Sequence, residues 1–292
     1  MYVRALTPFT ASDGENLALY SWLPEDSTRQ MGRESAHLSG VVLIVHGLGE
    51  HAGRYEHVAH ALCNWGFEVR AYDQRGHGES GGKSGTLPCN MALLDDLAEV
   101  VDDTRANCPD LPLILLGHSL GGLVAGRFVS LRIRPVDALV MSSPALDAGL
   151  GSFQKLLLKV LPRVAPNLRV SNGLNVNFIS HDAQVVQAYR ADRLVHNKIS
   201  PRLGQFIATA GPATLAAATD WRVPTLLMYA GEDKLVNPAG SDQFVKLAAT
   251  SKAVKAGTVT AKRFDGYYHE LFNEREAAPV FELLKTWLDS RF

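Results

Sequence analysis

Short apolar runs bounded by turn residues recur along the chain and predict buried strands. These runs are rich in β-branched residues, and each ends in glycine, proline, serine or aspartate. The predicted strands cover residues 40–47, 67–73, 111–119, 136–144, 223–233 and 257–266. Between them, apolar residues three or four positions apart predict helices, most clearly over residues 91–107 and directly after Ser119. This alternation is typical of an α/β protein with a mostly parallel sheet and helices on both faces.

The alternation of strand and helix breaks between residues 147 and 220. That interval carries three helical patterns, SFQKLLLKVL, SHDAQVVQAYR and SPRLGQFIATA, and no convincing strand. A structureless loop of this length is uncommon in a compact domain, so we interpret the interval as a helical insertion. We therefore expect a core formed by residues 1–146 and 221–292, with a helical cap at residues 147–220 seated on the sheet.

The glycine-rich stretch RGHGESGGKSG, residues 75–85, contains the spacing G-x-G-x-x-G that is found in phosphate-binding loops. Such a loop must lead directly into a helix N-terminus, where free N–H groups meet the anion, but Thr-Leu-Pro follows Gly85. The stricter phosphate-loop pattern requires glycine where this chain has His77. We interpret the stretch as a structured turn in which Asp73 and Arg75 form hydrogen bonds.

The sequence GHSLG, residues 117–121, carries the strongest chemical signal. It matches G-x-S-x-G between a predicted strand and a predicted helix, which is the context of a nucleophile elbow. The small residues allow a sharp turn that exposes the Ser119 hydroxyl at the end of the strand. Serine is a poor nucleophile alone, so it requires a base, and the base requires a carboxylate that orients it.

The base and the carboxylate are predicted from their positions after strands. Asp233 follows the run VPTLLMY and His269 follows VTAKRF, so both lie where the carboxyl edge of a parallel sheet collects its functional groups. His118 adjoins Ser119, but neighbouring residues of a turn point apart, so packing is its expected role. Three other carboxylates near strand ends stay open as alternatives to Asp233: Asp147, Asp220 and Asp265.

The oxyanion donors are predicted to be backbone groups. His46 belongs to HGLG, a loop type that supplies one N–H donor, so we expect the N–H groups of Leu48 and Leu120 to form the oxyanion hole. A zinc site is not expected, because HELFN has Asn273 where the pattern H-E-x-x-H requires a second histidine.

Composition excludes other classes of function. The formal net charge of -1 provides no general attraction to nucleic acid, so no nucleic-acid partner is expected. Three cysteines, with no C-x-x-C pair, indicate a reducing compartment. The N-terminal residues lack the apolar core of a signal peptide, and no segment approaches the ~20 apolar residues of a membrane span, so we expect a cytoplasmic protein.

Six motifs together resemble the monoacylglycerol lipase and lysophospholipase branch of the α/β-hydrolase superfamily. They are HGLGEHAGRY (46–55), YDQRGHGES (72–80), GHSLGG (117–122), SSP (142–144), GEDKLVNPAGS (231–241) and YYHELFNE (267–274). The resemblance runs nearly end to end. It implies an α/β-hydrolase fold and a serine hydrolase of carboxylic esters that needs no cofactor, with the triad Ser119, Asp233 and His269. It also implies that the turn at residues 72–80 is scaffold. Members of this branch cut monoacylglycerols, lysophospholipids and short-chain esters, so the substrate stays open.

The cap provides the only clue to substrate and surroundings. Eight cations against four carboxylates give residues 147–220 a net charge of about +4. SFQKLLLKVLPRV combines leucines with spaced cations, which suits peripheral contact with an anionic lipid surface. The preferred alternative is a lid helix whose leucines face the acyl pocket or core and whose lysines face water.

Two other functions use the same residues. A ligand-binding protein without turnover, and an acyltransferase or perhydrolase acting through Ser119, stay open beside the ester hydrolase. The sequence does not indicate an oligomeric state.

Overall fold

An eight-stranded sheet forms the centre of this computed structural model, which describes residues 3–24, 38–149, 151–252 and 254–292. Its strands are β1 (Val3–Thr10), β2 (Asn16–Leu23), β3 (Gly40–Val45), β4 (Phe67–Tyr72), β5 (Leu113–His118), β6 (Ala138–Ser142), β9 (Thr225–Ala230) and β10 (Val259–Phe264). They lie in the order β1-β2-β4-β3-β5-β6-β9-β10. The pairs β1–β2 and β2–β4 are antiparallel, and all the other pairs in the sheet are parallel. Two short strands, β7 (Val170–Ser171) and β8 (Lys198–Ile199), pair separately.

Helices follow most of the strands. They are α1 (Glu56–Asn64), α2 (Ala92–Asn107), α3 (Leu120–Leu131), α4 (Ser152–Val164), α5 (Ala183–Ala191), α6 (Pro201–Ala217), α7 (Ala239–Thr250) and α8 (Ala278–Asp289). Short 3-10 helices cover Ala52–Tyr55, Val176–Phe178, Ala218–Asp220 and Leu271–Asn273. Within the described ranges, no helix has both the length and the apolar character that crossing a membrane requires.

The central strands β3, β5, β6 and β9 are buried on both faces, which explains their continuous apolar runs. Successive side chains of a strand point to opposite faces. Leu43 and Val45 accordingly belong to the cluster packed under α2, α3, α6 and α7, while Val42 and Ile44 belong to the cluster packed under α1 and α8. The predicted mostly parallel sheet with helices on both faces is confirmed.

The segment between β6 and β9 holds α4, α5 and α6, as the three helical patterns predict. The C-terminal half of α6 packs on α3, because Thr214 lies against Gly126 and Leu215 is buried in the core cluster. The predicted cap thus includes a helix that also completes the core. The domain boundaries at residues 147 and 220 stay a prediction.

Two features depart from the sequence-based expectations. The antiparallel strands β1 and β2 at the sheet edge were not predicted, although NLALYSWL buries most of its residues. The cap interval was expected to lack strands, yet β7 and β8 form a two-residue ladder there. The hairpin β1–β2 joins consecutive strands, so its signal was local and was overlooked. The strands β7 and β8 lie far apart in the chain, so local patterning signals their pairing weakly.

The glycine-rich turn after β4 is held by buried polar groups. Asp73 accepts hydrogen bonds from the N–H of Glu79 inside the turn, at 2.8 Å, and from the Tyr20 hydroxyl. Arg75, expected to bond within the turn, instead reaches outside it: its Nε donates to Asp96 of α2 at 2.6 Å, and its Nη1 donates to Asp13. The turn therefore anchors β4 to α2 and to the β1–β2 connection.

Removing the Asp96 carboxylate is expected to destabilise the fold. Arg75 and Asp96 are 4% and 1% exposed, so Asp96→Ala leaves a buried guanidinium with one partner fewer. We expect a loss of about 3 kcal/mol in the free energy of unfolding, measured by chemical denaturation. The exposed neighbour Asp95 is the matched control, and Asp95→Ala is expected to change stability by less than about 0.5 kcal/mol. Equal losses in both variants would contradict this role of Arg75 and Asp96.

Candidate active site

Ser119 lies in a sharp turn between β5 and α3. Its backbone has a φ of 54°, a left-handed conformation that a non-glycine residue rarely adopts. Its N–H donates to the carbonyl of Ser142 in the neighbouring strand, and its carbonyl accepts from Ala145 and Leu123. These bonds hold the strained conformation, as is common at functional sites.

The glycines around Ser119 are required by close backbone packing. A Cβ on Gly117 would meet the carbonyl oxygen of Gly121, and a Cβ on Gly121 would meet the carbonyl oxygens of Val45 and His46. The first turn of α3 therefore packs directly against the end of β3. This contact brings the loop after β3 beside Ser119.

Asp233 and His269 form a buried hydrogen-bonded pair. The Asp233 Oδ2 lies 2.6 Å from the His269 Nδ1, and both side chains are at most 6% exposed. The other oxygen of Asp233 accepts from the N–H groups of Leu235 and Val236. The three alternative carboxylates are engaged elsewhere: Asp147 with Asn237, Asp220 with Arg132 and Arg222, and Asp265 with Arg263.

The pKa values of two neighbouring histidines, His269 and His118, are shifted in opposite directions. Burial alone would lower the pKa of His269, but the charge and hydrogen bond of Asp233, followed by the charges of Glu270 and Glu50, raise it. Burial also opposes the charge on Asp233, yet His269 and the backbone donors lower the pKa of that carboxyl. Burial and the nearby His269 lower the pKa of His118 to about 4, so His118 is neutral near pH 7.

His118 contacts the site by packing, as predicted. Its ring lies 4.7 Å from the ring of His269, between centroids, and its Nδ1 is 3.3 Å from the Ser142 hydroxyl. The ring is 3% exposed. His118 thus forms a neutral wall beside His269.

His46 fixes the peptide that carries the Leu48 N–H. Its Nε2 accepts from the N–H of Gln74 at 2.8 Å, which leaves the proton on Nδ1, and Nδ1 donates to the Gly47 carbonyl at 2.8 Å. That carbonyl and the Leu48 N–H belong to one planar peptide, so fixing one orients the other. In the described part of the chain, neither the Leu48 N–H nor the Leu120 N–H has an intramolecular acceptor.

A buried charged network that sequence analysis did not identify lies beside these groups. The carboxylate of Glu50 accepts from the Gly47 N–H at 2.6 Å and from the Tyr55 hydroxyl at 2.7 Å, and it pairs with Arg54. Arg54 also pairs with Glu270, the residue after His269. The signal was present in HGLGEHAGRY, which places a glutamate and an arginine four residues apart. Its meaning required Glu270, which is 216 residues away.

Ser119 and His269 line two different cavities. The larger cavity has a volume of about 320 Å³ and mostly apolar walls, formed partly by α4 and α6. Its apolar lining includes Leu157, Leu158, Leu161, Leu168, Leu174 and Ile207. The smaller cavity has a volume of about 30 Å³, and its wall combines the polar side chains of Glu50, His118, Tyr189 and Glu270 with the apolar side chains of Leu48, Leu174, Val176, Ile179 and Leu235. Ser119 therefore lies at the junction of a large apolar cavity and a small cavity of mixed lining.

A metal centre is not supported by the residues that the structure describes. No group of three histidine, cysteine, aspartate or glutamate side chains in these ranges could hold a metal ion. The HELFN segment begins with His269, which pairs with Asp233, and its Asn273 donates to Glu270.

The chain matches a family model described as serine aminopeptidase, S33 (Hydrolase_4), over residues 36–276. It is 33% identical to a monoacylglycerol lipase of Mycolicibacterium smegmatis over 290 residues, which cover 98% of each chain. It is 32% identical to the phospholipase YtpA of Bacillus subtilis over 85% of this chain and 95% of the relative. The crystal structure of a Paleococcus ferrophilus monoacylglycerol lipase is similar with a TM-score of 0.78 and 31% identity, covering 100% of both chains.

The ionisation of His269 is expected to depend on Asp233. Replacing Asp233 with asparagine removes the main group that raises the pKa of His269, while the burial that lowers it stays. We therefore expect Asp233→Asn to lower the pKa of His269, measured by NMR titration of labelled imidazole rings. Asp265→Asn, an exposed carboxylate on the neighbouring loop, is the matched control and is expected to leave the titration in place. A His269 titration unchanged in Asp233→Asn would contradict the assignment.

Proposed function

Because the chain belongs to the serine aminopeptidase S33 (Hydrolase_4) family of α/β-hydrolases, we propose that it cleaves monoacylglycerols through an acyl-enzyme on Ser119. Hydrolysis of carboxylic esters is the activity of this family's lipase and phospholipase relatives, and the chain is a carboxylic ester hydrolase. The position of Ser119 between a large apolar cavity and a small cavity with Glu50 and Glu270 in its wall carries the proposal of substrate.

The proposed reaction uses the triad in two steps. The Ser119 Oγ attacks the ester carbonyl carbon while His269 accepts its proton, and the alcohol then leaves with that proton. A water molecule attacks the acyl-enzyme by the same route and releases the fatty acid and Ser119. The buried carboxylate of Asp233 keeps the His269 proton on Nδ1 and stabilises the imidazolium. In each step the N–H groups of Leu48 and Leu120 hold the oxyanion.

The two compartments suit an ester with unequal halves. The apolar cavity accepts the acyl chain, since leucines of α4 and the following loop form much of its wall. The second cavity is about ten times smaller, so it suits a small alcohol and excludes a second acyl chain. A monoacyl lipid meets both requirements.

The charged cluster beside the small cavity favours a neutral alcohol. Arg54 is one cation between the carboxylates of Glu50 and Glu270, so the cluster has a net negative charge. The pKa of Glu50 is lowered: burial opposes its ionisation, but the charge of Arg54 and the hydrogen bond from Tyr55 favour it. A phosphate-bearing head group would be repelled here. We therefore propose glycerol, rather than a phosphorylated alcohol, as the leaving group.

The cysteines and the net charge support proposals about the location of the protein and its partners. We propose a cytoplasmic location, supported by three free cysteines of which Cys89 is exposed. We also propose that no nucleic acid is bound, since the net charge is -1.

We propose further that the cap, residues 147–220, makes peripheral contact with membranes. Helix α4 has two apolar faces: Leu158 and Leu161 line the acyl cavity, whereas Val160 and Val164 point outward and are 52% and 71% exposed. Leu168 and Val170, which line the same cavity, are also exposed at its edge. An exposed apolar patch beside a lipid-accepting cavity suits contact with a lipid surface.

Removal of the Ser119 hydroxyl is expected to abolish turnover. We expect Ser119→Ala to lower kcat on the order of 10⁶-fold, because the triad acts as a unit. The assay uses p-nitrophenyl esters from acetate to palmitate beside monoacylglycerol and lysophosphatidylcholine. Ser130→Ala, at the other end of α3, is the control and should retain wild-type turnover. Monoacylglycerol is expected to be preferred over lysophosphatidylcholine. An active Ser119→Ala, or no acyl release by the wild type, would overturn the proposed function.

Loss of the outward apolar face of α4 is expected to weaken only interfacial activity. We expect Val160→Ser with Val164→Ser to lower monoacylglycerol turnover in anionic vesicles roughly tenfold, because less apolar surface enters the lipid. Hydrolysis of p-nitrophenyl butyrate in solution should not change. Leu131→Ser, an exposed residue at the end of α3, is the control.

The charge of the lipid surface tests the cap cations separately. At low salt, the rate of monoacylglycerol hydrolysis should be higher in anionic vesicles than in neutral vesicles, and equal rates would refute an electrostatic contribution of the cap cations.

A further inference from the structure

The loop of His269 and the loop of Leu48 are joined by one buried arginine. Arg54 donates to both oxygens of Glu270 through two nitrogens, each at 2.7 Å, in the bidentate geometry that fixes a carboxylate in plane. The same guanidinium pairs with Glu50. Glu50 and Glu270 are 3% and 6% exposed, so these contacts are screened little by solvent.

The carboxylates of Glu50 and Glu270 each lie next to a segment that carries a group of the proposed reaction. Glu50 accepts from the Gly47 N–H at 2.6 Å, one peptide before the N–H of Leu48. Glu270 directly follows His269, and its second oxygen also accepts from Asn273 at 2.7 Å. The Glu270 N–H donates to the carbonyl of Ile179 in the cap at 2.8 Å. Glu270 is therefore fixed at both its backbone and its side chain.

We propose that Glu270 is a positioning residue of the reaction, which acts with Arg54 and Glu50 to tie the base His269 to the oxyanion loop. This inference rests on the proposed function, since it assigns a role within that site. Glu270 does not touch the reacting atoms. It holds the distance between the imidazole and the Leu48 N–H, and its charge favours the imidazolium that forms when Ser119 is deprotonated.

A salt bridge with only a structural role would be electrically neutral and would not affect the ionisation of His269. Here the two carboxylates of Glu50 and Glu270 share the single positive charge of Arg54, so one negative charge remains beside His269. The charges of Glu270 and Glu50 both raise the pKa of His269, after the larger effect of Asp233. The other groups that face His269 are Asp233 from the loop after β9 and His118 from β5, and Tyr189 of the cap lies beside Arg54.

Glu270→Gln separates these roles by removing the charge while keeping the shape. We expect kcat on monoacylglycerol to fall on the order of tenfold or more, because the Gln amide donors oppose the donors of Arg54 and Asn273. We also expect the acid limb of the kcat/KM profile to move to lower pH. Activity requires neutral His269, and loss of a nearby negative charge lowers the pKa of that group.

Two further variants complete the experiment. Arg54→Lys keeps the charge but loses the bidentate fork, so kcat should fall while the acid limb stays in place. Glu276→Gln, an exposed glutamate six residues along, should leave both quantities unchanged. Thermal unfolding of each variant shows whether it folds. If Glu270→Gln does not fold, Arg54→Lys tests whether the bidentate contact of Arg54 with Glu270 positions His269.

The outcomes distinguish this inference from the proposed function. If Ser119→Ala is inactive but Glu270→Gln keeps kcat within twofold and the same acid limb, Glu270 is not a positioning residue and the triad stands. A folded Arg54→Lys with wild-type kcat also overturns the inference. If Ser119→Ala retains activity, the proposed function itself fails.

Discussion

The site depends on the close approach of the first turn of α3 to the end of β3. Gly121 lies so near the carbonyl oxygens of Val45 and His46 that a single added carbon would collide with both. Ser119, two residues before Gly121, has a left-handed φ of 54°. The close approach also places the start of a helix, with its unpaired N–H of Leu120, next to the loop of Leu48. One packing constraint thus assembles the serine and both proposed oxyanion donors from segments that are 72 residues apart in the chain.

The ionisation of the site depends on the burial of three neighbouring side chains, those of Asp233, His269 and His118. A buried imidazole is ordinarily driven toward its neutral form, and this is the state of His118, whose pKa is lowered to about 4. His269 lies beside it in an equally buried position, yet Asp233 at 2.6 Å reverses the direction of its pKa shift. The carboxylate therefore selects which of two adjacent histidines can accept and hold a proton. Sequence proximity to Ser119 alone would have favoured the wrong one.

The sequence was most informative where function is encoded locally. The central strands and GHSLG could be predicted because a buried parallel strand, a glycine-bounded turn and an apolar helix each leave a pattern within a dozen residues. The hairpin β1–β2 was missed although its strands are consecutive, whereas the short pair β7–β8 was missed because its strands lie far apart in the chain. The same limit applies to Arg75, which bonds to Asp96 rather than within its turn, and to Arg54, whose partner Glu270 is 216 residues away. The catalytic assignments and the cap boundaries stay predictions.

The cap has different mechanical roles on the two sides of Ser119. On the side of the small cavity, Phe178 and Ile179 accept hydrogen bonds from the backbone of His269 and Glu270, and Glu274 accepts from His181 and from the N–H of Tyr268. Moving this part would displace His269. On the apolar side, α4 packs on α6 and leaves Val160 and Val164 in solvent. In the proposed function, the acyl chain enters beneath α4 without displacing His269, whereas a bulky alcohol in the small cavity would displace it. The proposal therefore makes the size of the alcohol a stricter requirement than the length of the acyl chain.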